Sequence, residues 1–133
     1  MNLIDLKKVK DEAISKAITD HKVFFAFSDK QFEESKTELQ PNEKYVRLQG
    51  GGFIPKFQLD SFIKELERIE KDFKNSILEH DLKDRHIIYE LQNYESFYTM
   101  DPSEAISALK NFYSEKEILE VFWKCVKSGE YND

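Results

Sequence analysis

The chain has one cysteine, three prolines, four glycines and one tryptophan in 133 residues. A single thiol, Cys125, excludes an internal disulfide framework and any cysteine-rich zinc site. No apolar run approaches the roughly 18 residues of a membrane-spanning helix. The opening Met-Asn-Leu-Ile-Asp-Leu-Lys-Lys brings in acid and base too early for the apolar core of a signal peptide. The expected location is therefore the cytoplasm, of a bacterium or of an infected host cell, and no membrane contact is expected. Positive charge is also short: 26 acidic against 20 basic side chains give a net charge of −6, which opposes non-specific nucleic-acid binding. Lysines interleaved with the acids break up the single-sign surface that a DNA mimic needs.

Aromatic side chains are plentiful. Eleven Phe and six Tyr, with 40% hydrophobic residues, are too many for a disordered chain even with 35% charged residues. A chain of this length can bury most of its apolar surface in one core, so a single compact domain over residues 1–133 is expected.

Hydrophobic spacing predicts mostly helix. Leu6, Val9, Ala13, Ile14, Ala17 and Ile18 recur every three or four residues, as in an amphipathic helix. Residues 23–27, Val-Phe-Phe-Ala-Phe, read as a buried strand, and Ser28 with Gln31 forms a capping box for a short helix from Asp29 to about Lys36. Pro41-Asn42 reads as a turn and residues 45–48 as a second strand. Leu59, Phe62, Ile63, Leu66, Ile69, Phe73, Ile77 and Leu78 then form one stripe of a long helix, roughly residues 57–79. Residues 86–94 fit a helix better than a strand, because Ile88 spoils the alternation. Asp101-Pro102-Ser103-Glu104 and Ser114 with Glu117 start two closing helices, the second ending at Gly129. The expected fold is α+β, a mostly helical domain with a small two- or three-stranded sheet and a long central helix.

Three of the four glycines, Gly50, Gly51 and Gly52, stand together in Tyr-Val-Arg-Leu-Gln-Gly-Gly-Gly-Phe-Ile-Pro-Lys, residues 45–56. Strand, glycine loop and helix is the order of phosphate-binding loops. The match fails in detail: Pro55 stands where such a loop needs glycine and removes an N–H donor, and Phe57 replaces the magnesium-holding Ser or Thr. A dinucleotide-binding reading fails at the same proline. Two readings remain open. Either the glycines form a bulge or wide turn between strand and helix that lets another segment lie close, or the loop recognises a partner or small ligand with Arg47 and Lys56 as nearby cations.

The other chemistry-bearing residues are sparse. His21, His80 and His86 have no metal-ligand spacing, and the residues around the last two read as a polar turn between helices. Cys125 falls on the apolar stripe of the last helix, as a buried thiol would. The stretch Tyr-Glu-Leu-Gln-Asn-Tyr-Glu-Ser-Phe-Tyr-Thr, residues 89–99, alternates aromatic and polar groups. It reads either as a buried hydrogen-bond network tied to the glycine loop or as a site in which Glu90 and Glu95 act as acid and base beside Asn93. No catalytic residue, metal or cofactor is assigned.

Taken together, Val-Phe-Phe-Ala-Phe-Ser at residues 23–28, the 44–56 glycine segment and the 88–101 segment resemble a family of small proteins of uncharacterised function in bacteria, bacteriophages and mobile elements. The resemblance covers roughly residues 3–125. It implies that the glycine loop and the aromatic segment belong to one shared module, and that a phage or mobile-element accessory role is in keeping. It carries over no catalytic residues. The expected function is non-enzymatic binding of a protein partner, or of a second copy of the chain, through Arg47, Gly50, Gly51, Gly52 and Lys56 together with Glu90, Asn93 and Glu95. The rival is a small enzyme or ligand binder using Glu90, Asn93 and Glu95 beside the loop.

Overall fold

The computed structural model describes residues 1–36 and 44–129. It is a mostly helical α+β structure with one small antiparallel sheet, as expected, and it divides into two compact units. One is Lys7–Phe73; the other joins Met1–Leu6 to Lys74–Asp133. Two helices, α1 (Leu3–Asp20) and α3 (Leu59–Glu79), contribute residues to both. No helix among the described residues is long and apolar enough to cross a membrane. The Pro41-Asn42 turn lies outside the described residues.

The Lys7–Phe73 unit is built around three strands, β1 (Phe24–Phe25), β2 (Tyr45–Arg47) and β3 (Gly52–Pro55), in the order β1-β3-β2. The two strands expected from sequence do not pair with each other; both pair antiparallel with β3, which lies where a glycine loop is expected. The reason is the glycine run. Gly50 and Gly51 take positive φ, +73° and +82°, and turn the chain back on itself, so that Leu48 donates its N–H to the Gly52 carbonyl at 2.7 Å. The glycines thus join strand to strand, not strand to helix. Residues 23–27 are also corrected: only Phe24 and Phe25 are strand, and Phe25 and Phe27 are exposed, not buried.

Alternation along the strands gives the sheet two different faces. Ile54, fully buried, packs with Ala17 of α1 and with Phe62 and Ile69 of α3. On the opposite face Phe24, Tyr45 and Phe53 meet Phe32 of α2 (Asp29–Lys36), with ring centroids 4.8 to 5.9 Å apart. Such aromatic pairs contribute about 0.5–1.5 kcal/mol each beyond the area they bury. Helix α2 starts where the sequence places it: Gln31 donates its N–H to Ser28 Oγ, and its own side chain reaches back to accept from the Phe27 N–H at 2.7 Å. His21 fixes the end of α1 to α3, its ring nitrogens bonding the Ala17 carbonyl and Ser61 Oγ.

The second unit is helical: the end of α3, then α4 (Lys83–Asn93), α5 (Ser96–Thr99), α6 (Ser103–Leu109) and α7 (Glu115–Ser128). One cluster of buried side chains holds it, running from Ile87 and Leu91 through Phe97, Leu109 and Ile118 to Phe122 and Cys125. Cys125 is buried there as a free thiol, as its place on the apolar stripe predicted. Phe97 and Phe122 stack with centroids 5.4 Å apart. The capping box at α7 is complete: Ser114 Oγ accepts the Glu117 N–H, Glu117 Oε1 accepts the Ser114 N–H, and Gly129 closes the helix at φ +72°. At α6 the Asp101 carboxylate accepts the Ser103 N–H at 3.0 Å. Because glycine is spent on the hairpin and on Gly129, the other left-handed turns fall to Lys22, Asp81, Glu95 and Met100, each at a steric cost of about 1–2 kcal/mol.

The long helix α3 has the expected stripe, but a narrower one. Phe62, Ile69, Phe73 and Ile77 are buried, whereas Ile63 and Leu78 face solvent. The segment after it is corrected as well. Asp81 does turn the chain, but Asp84, Arg85 and His86 belong to α4, and His86 is buried with its Nδ1 2.9 Å from the Tyr113 hydroxyl.

Candidate functional site

Against the glycine hairpin lie two exposed aromatic side chains of the Lys7–Phe73 unit, Phe25 and Phe27. Alternation along β1 puts Phe24 into the aromatic cluster and sends Phe25 the other way. Phe25 lies against Gly52, where an added Cβ would come within 3.3 Å of its ring. Phe27 lies on Gly51, where a Cβ would be only 2.6 Å from the ring edge. The glycines therefore do let another segment lie close. Both rings nonetheless stay open to solvent, Phe25 at 51% and Phe27 at 78% exposure. An exposed ring held against backbone is pre-positioned for contact, because it has little freedom left to lose on binding.

Beside Phe27 lies an open cleft of about 450 Å³, lined by Phe27, Phe32, Phe53, Arg47, Asp29 and Gly51. Arg47 stands opposite Phe53 in the β2–β3 register, and Asp29 opens α2. Aromatic walls with one cation and one anion suit the mixed side chains of a peptide or protein surface. Of the residues proposed from sequence, the structure thus brings Arg47 and Gly51 to one cleft. Gly50 and Gly52 shape its turn. Lys56 lies at the other end of the hairpin, past Pro55, where its N–H bonds the Lys44 carbonyl.

Glu90, Asn93 and Glu95 belong to the other unit. Glu90 is half-buried in α4, Asn93 is the exposed last residue of that helix, and Glu95 is exposed in a left-handed turn, its carbonyl accepting the Tyr98 and Thr99 N–H groups. The 89–99 segment sends Leu91, Ser96 and Phe97 inward and leaves Tyr98 89% exposed.

Another polar constellation lies in the helical unit, and of it the sequence announces only the Ser114–Glu117 capping box. Lys83 pairs with Glu117 and sits over the Tyr113 ring, 5.9 Å from its centroid, while His86 bonds the Tyr113 hydroxyl. Hydrogen bonding to Lys83, then to Ser114, holds the Glu117 carboxyl down at about 2. Burial first, then the Glu117 and Asp84 charges, push the Tyr113 phenol up to about 12. These groups tie α4 to the start of α7. Among the described residues no three His, Cys, Asp or Glu side chains converge to hold a metal ion.

Sequence reasoning missed Phe27, Asp29, Phe32 and Phe53 as site residues. The capping signal at Ser28 could have placed Phe27 just outside a helix, but its exposure depends on Gly51 lying beneath it.

Fold and site together define a small, mostly helical α+β protein with an aromatic cleft beside a glycine hairpin. The chain belongs to a family of unknown function, DUF7659, whose model matches residues 7–128 and so spans both units. No curated protein and no solved structure matches the chain.

Proposed function

We propose that this DUF7659 member is a non-enzymatic binding protein that acts in the cytoplasm as an accessory factor of phage or mobile-element type, engaging a protein partner through the glycine hairpin. The observation that carries the reading is Phe27, 78% exposed yet laid on Gly51 at the mouth of a cleft that also presents Arg47 and Asp29. Aromatic side chains, phenylalanine among them, and arginine are enriched at protein interfaces. The exposed Tyr98 and Met100 of the aromatic segment offer a second contact area of the same kind. The phage or mobile-element character rests on the resemblance of the three segments described above.

Affinity capture from native lysate, with the wild type, Phe27→Ala, Arg47→Ala and Glu90→Gln compared, tests this. Phe27→Ala is expected to change folding stability by less than about 0.5 kcal/mol, since the ring is exposed. It is expected to weaken partner binding tenfold or more, as loss of an aromatic anchor does. Full retention of every captured protein by folded Phe27→Ala and Arg47→Ala would remove the hairpin as the binding surface.

A further inference from the structure

A second cleft, of about 380 Å³, lies wholly within the helical unit, where the first turn of α1 meets α4. Leu3, Ile4, Leu82 and Ile88 give it apolar walls, and Arg85 and Tyr89 stand among them. Its volume falls in the range of small-molecule sites. Arg85 is the only charged side chain in this lining among the described residues.

Helix stability does not explain Arg85. It lies in the first turn of α4, where the helix dipole disfavours a cation. The other cation of that turn, Lys83, is offset by its ion pair with Glu117 and by the Tyr113 ring. Arg85 has no such partner among the described residues. The wall beside it includes Ile4, an apolar side chain 71% exposed. An unpaired guanidinium next to an open apolar cleft is complementary to a ligand with a carboxylate head and an aliphatic tail. The guanidinium fork can bind a carboxylate in bidentate fashion, and the apolar walls remove the tail from water. A chain with net charge −6 repels anions in general, so retention of one would have to come from this local arrangement.

We infer that the α1–α4 cleft binds a small aliphatic monocarboxylate, its carboxylate on Arg85 and its tail along Leu3, Ile4, Leu82 and Ile88. The proposal is independent of the hairpin surface.

Octanoate titrated into the full chain at low ionic strength, followed by calorimetry and methyl NMR, is the test. Saturable binding with a Kd below about 1 mM is expected, with the methyl shifts centred on Leu3, Ile4, Leu82 and Ile88. Octan-1-ol, with the same tail and no charge, is expected to bind more weakly. Arg85→Gln removes an exposed side chain and leaves the fold intact. It should weaken octanoate about tenfold or more while leaving octan-1-ol unchanged, as loss of a charge-assisted contact does. Ile4→Glu puts a competing carboxylate at the cleft and should weaken octanoate likewise. Absence of saturation at about 10 mM octanoate overturns the proposal. So do equal affinities for octanoate and octan-1-ol, equal octanoate affinity in Arg85→Gln, or shifts centred outside the cleft. Binding of an acidic–aliphatic peptide at this cleft without binding of octanoate also overturns it.

Discussion

In the helical unit ten buried side chains between Ile87 and Cys125 form one continuous cluster, whereas among the described residues the cluster around Ile54 in the Lys7–Phe73 unit has four buried members, Ala17, Ile54, Phe62 and Ile69, with partly buried side chains such as Ile14, Val46 and Leu66 packed on them. The sheet unit adds four partly open aromatic rings on the far face of its three short strands, and its hairpin depends on two glycines at positive φ. The helical unit is therefore held chiefly by side-chain volume, with one complete capping box at α7, and the sheet unit by backbone geometry and ring contacts. In the sheet unit Phe25 and Phe27 lie against Gly52 and Gly51, where a Cβ would crowd their rings.

The sharpest way to break this comparison is to remove volume from the helical unit. Phe122→Ala empties a fully buried site stacked on Phe97, and is expected to cost about 3–5 kcal/mol in denaturant unfolding. A cost below about 1 kcal/mol would mean that the helical cluster is not close-packed.

Backbone substitutions in the hairpin should give an intermediate effect. Gly50→Ala meets open space and carries only the penalty of positive φ, about 1 kcal/mol. Gly51→Ala carries the same penalty plus the collision with Phe27, so it is expected to be the more destabilising of the two. Adding Phe27→Ala should bring Gly51→Ala back to the level of Gly50→Ala. Equal costs for the two single variants would show that the Phe27 ring swings away freely and is not held on the glycine.

The smallest effect is electrostatic and belongs to the helical unit. Lys83 holds Glu117 at about 2, below its ordinary 4.5, so the pairing stabilises the fold fully above pH 4.5 and is lost as the pH falls toward about 2. Glu117→Gln is therefore expected to lower stability at pH 6 and to converge with the wild type near pH 2, as read from urea midpoints across that window. A gap that stays constant with pH would assign the loss to the capping box at Ser114 and not to the charge.

Much of the helical unit was legible because its signals are local. Ser114 and Glu117 lie three residues apart and cap one turn, Gly129 ends the same helix, and the apolar stripe of α7 repeats at helical spacing. The sheet was only partly legible. The strand at Gly52–Pro55 has no alternating pattern to declare it, and it exists because its backbone is claimed from both sides by β1 and β2. Of the candidate site, the unusual concentration of glycine points to Arg47 and the glycines, whereas the exposure of Phe27 is not legible because a run of apolar residues does not state which of them a neighbour will cover.

The sequence by itself determined the start of α2, both ends of α7, the sparing use of glycine, the α+β class and the unsuitability of Pro55 and Phe57 for a phosphate loop, since each depends on residues close together in the chain. Only the tertiary structure decided that the glycines turn one strand onto another, that His86 is buried against Tyr113, and that Arg85 stands beside an apolar cleft without a partner among the described residues. Those outcomes depend on groups far apart in sequence, whose pairing is fixed by which surfaces leave water together and which charges find a counter-charge when they do.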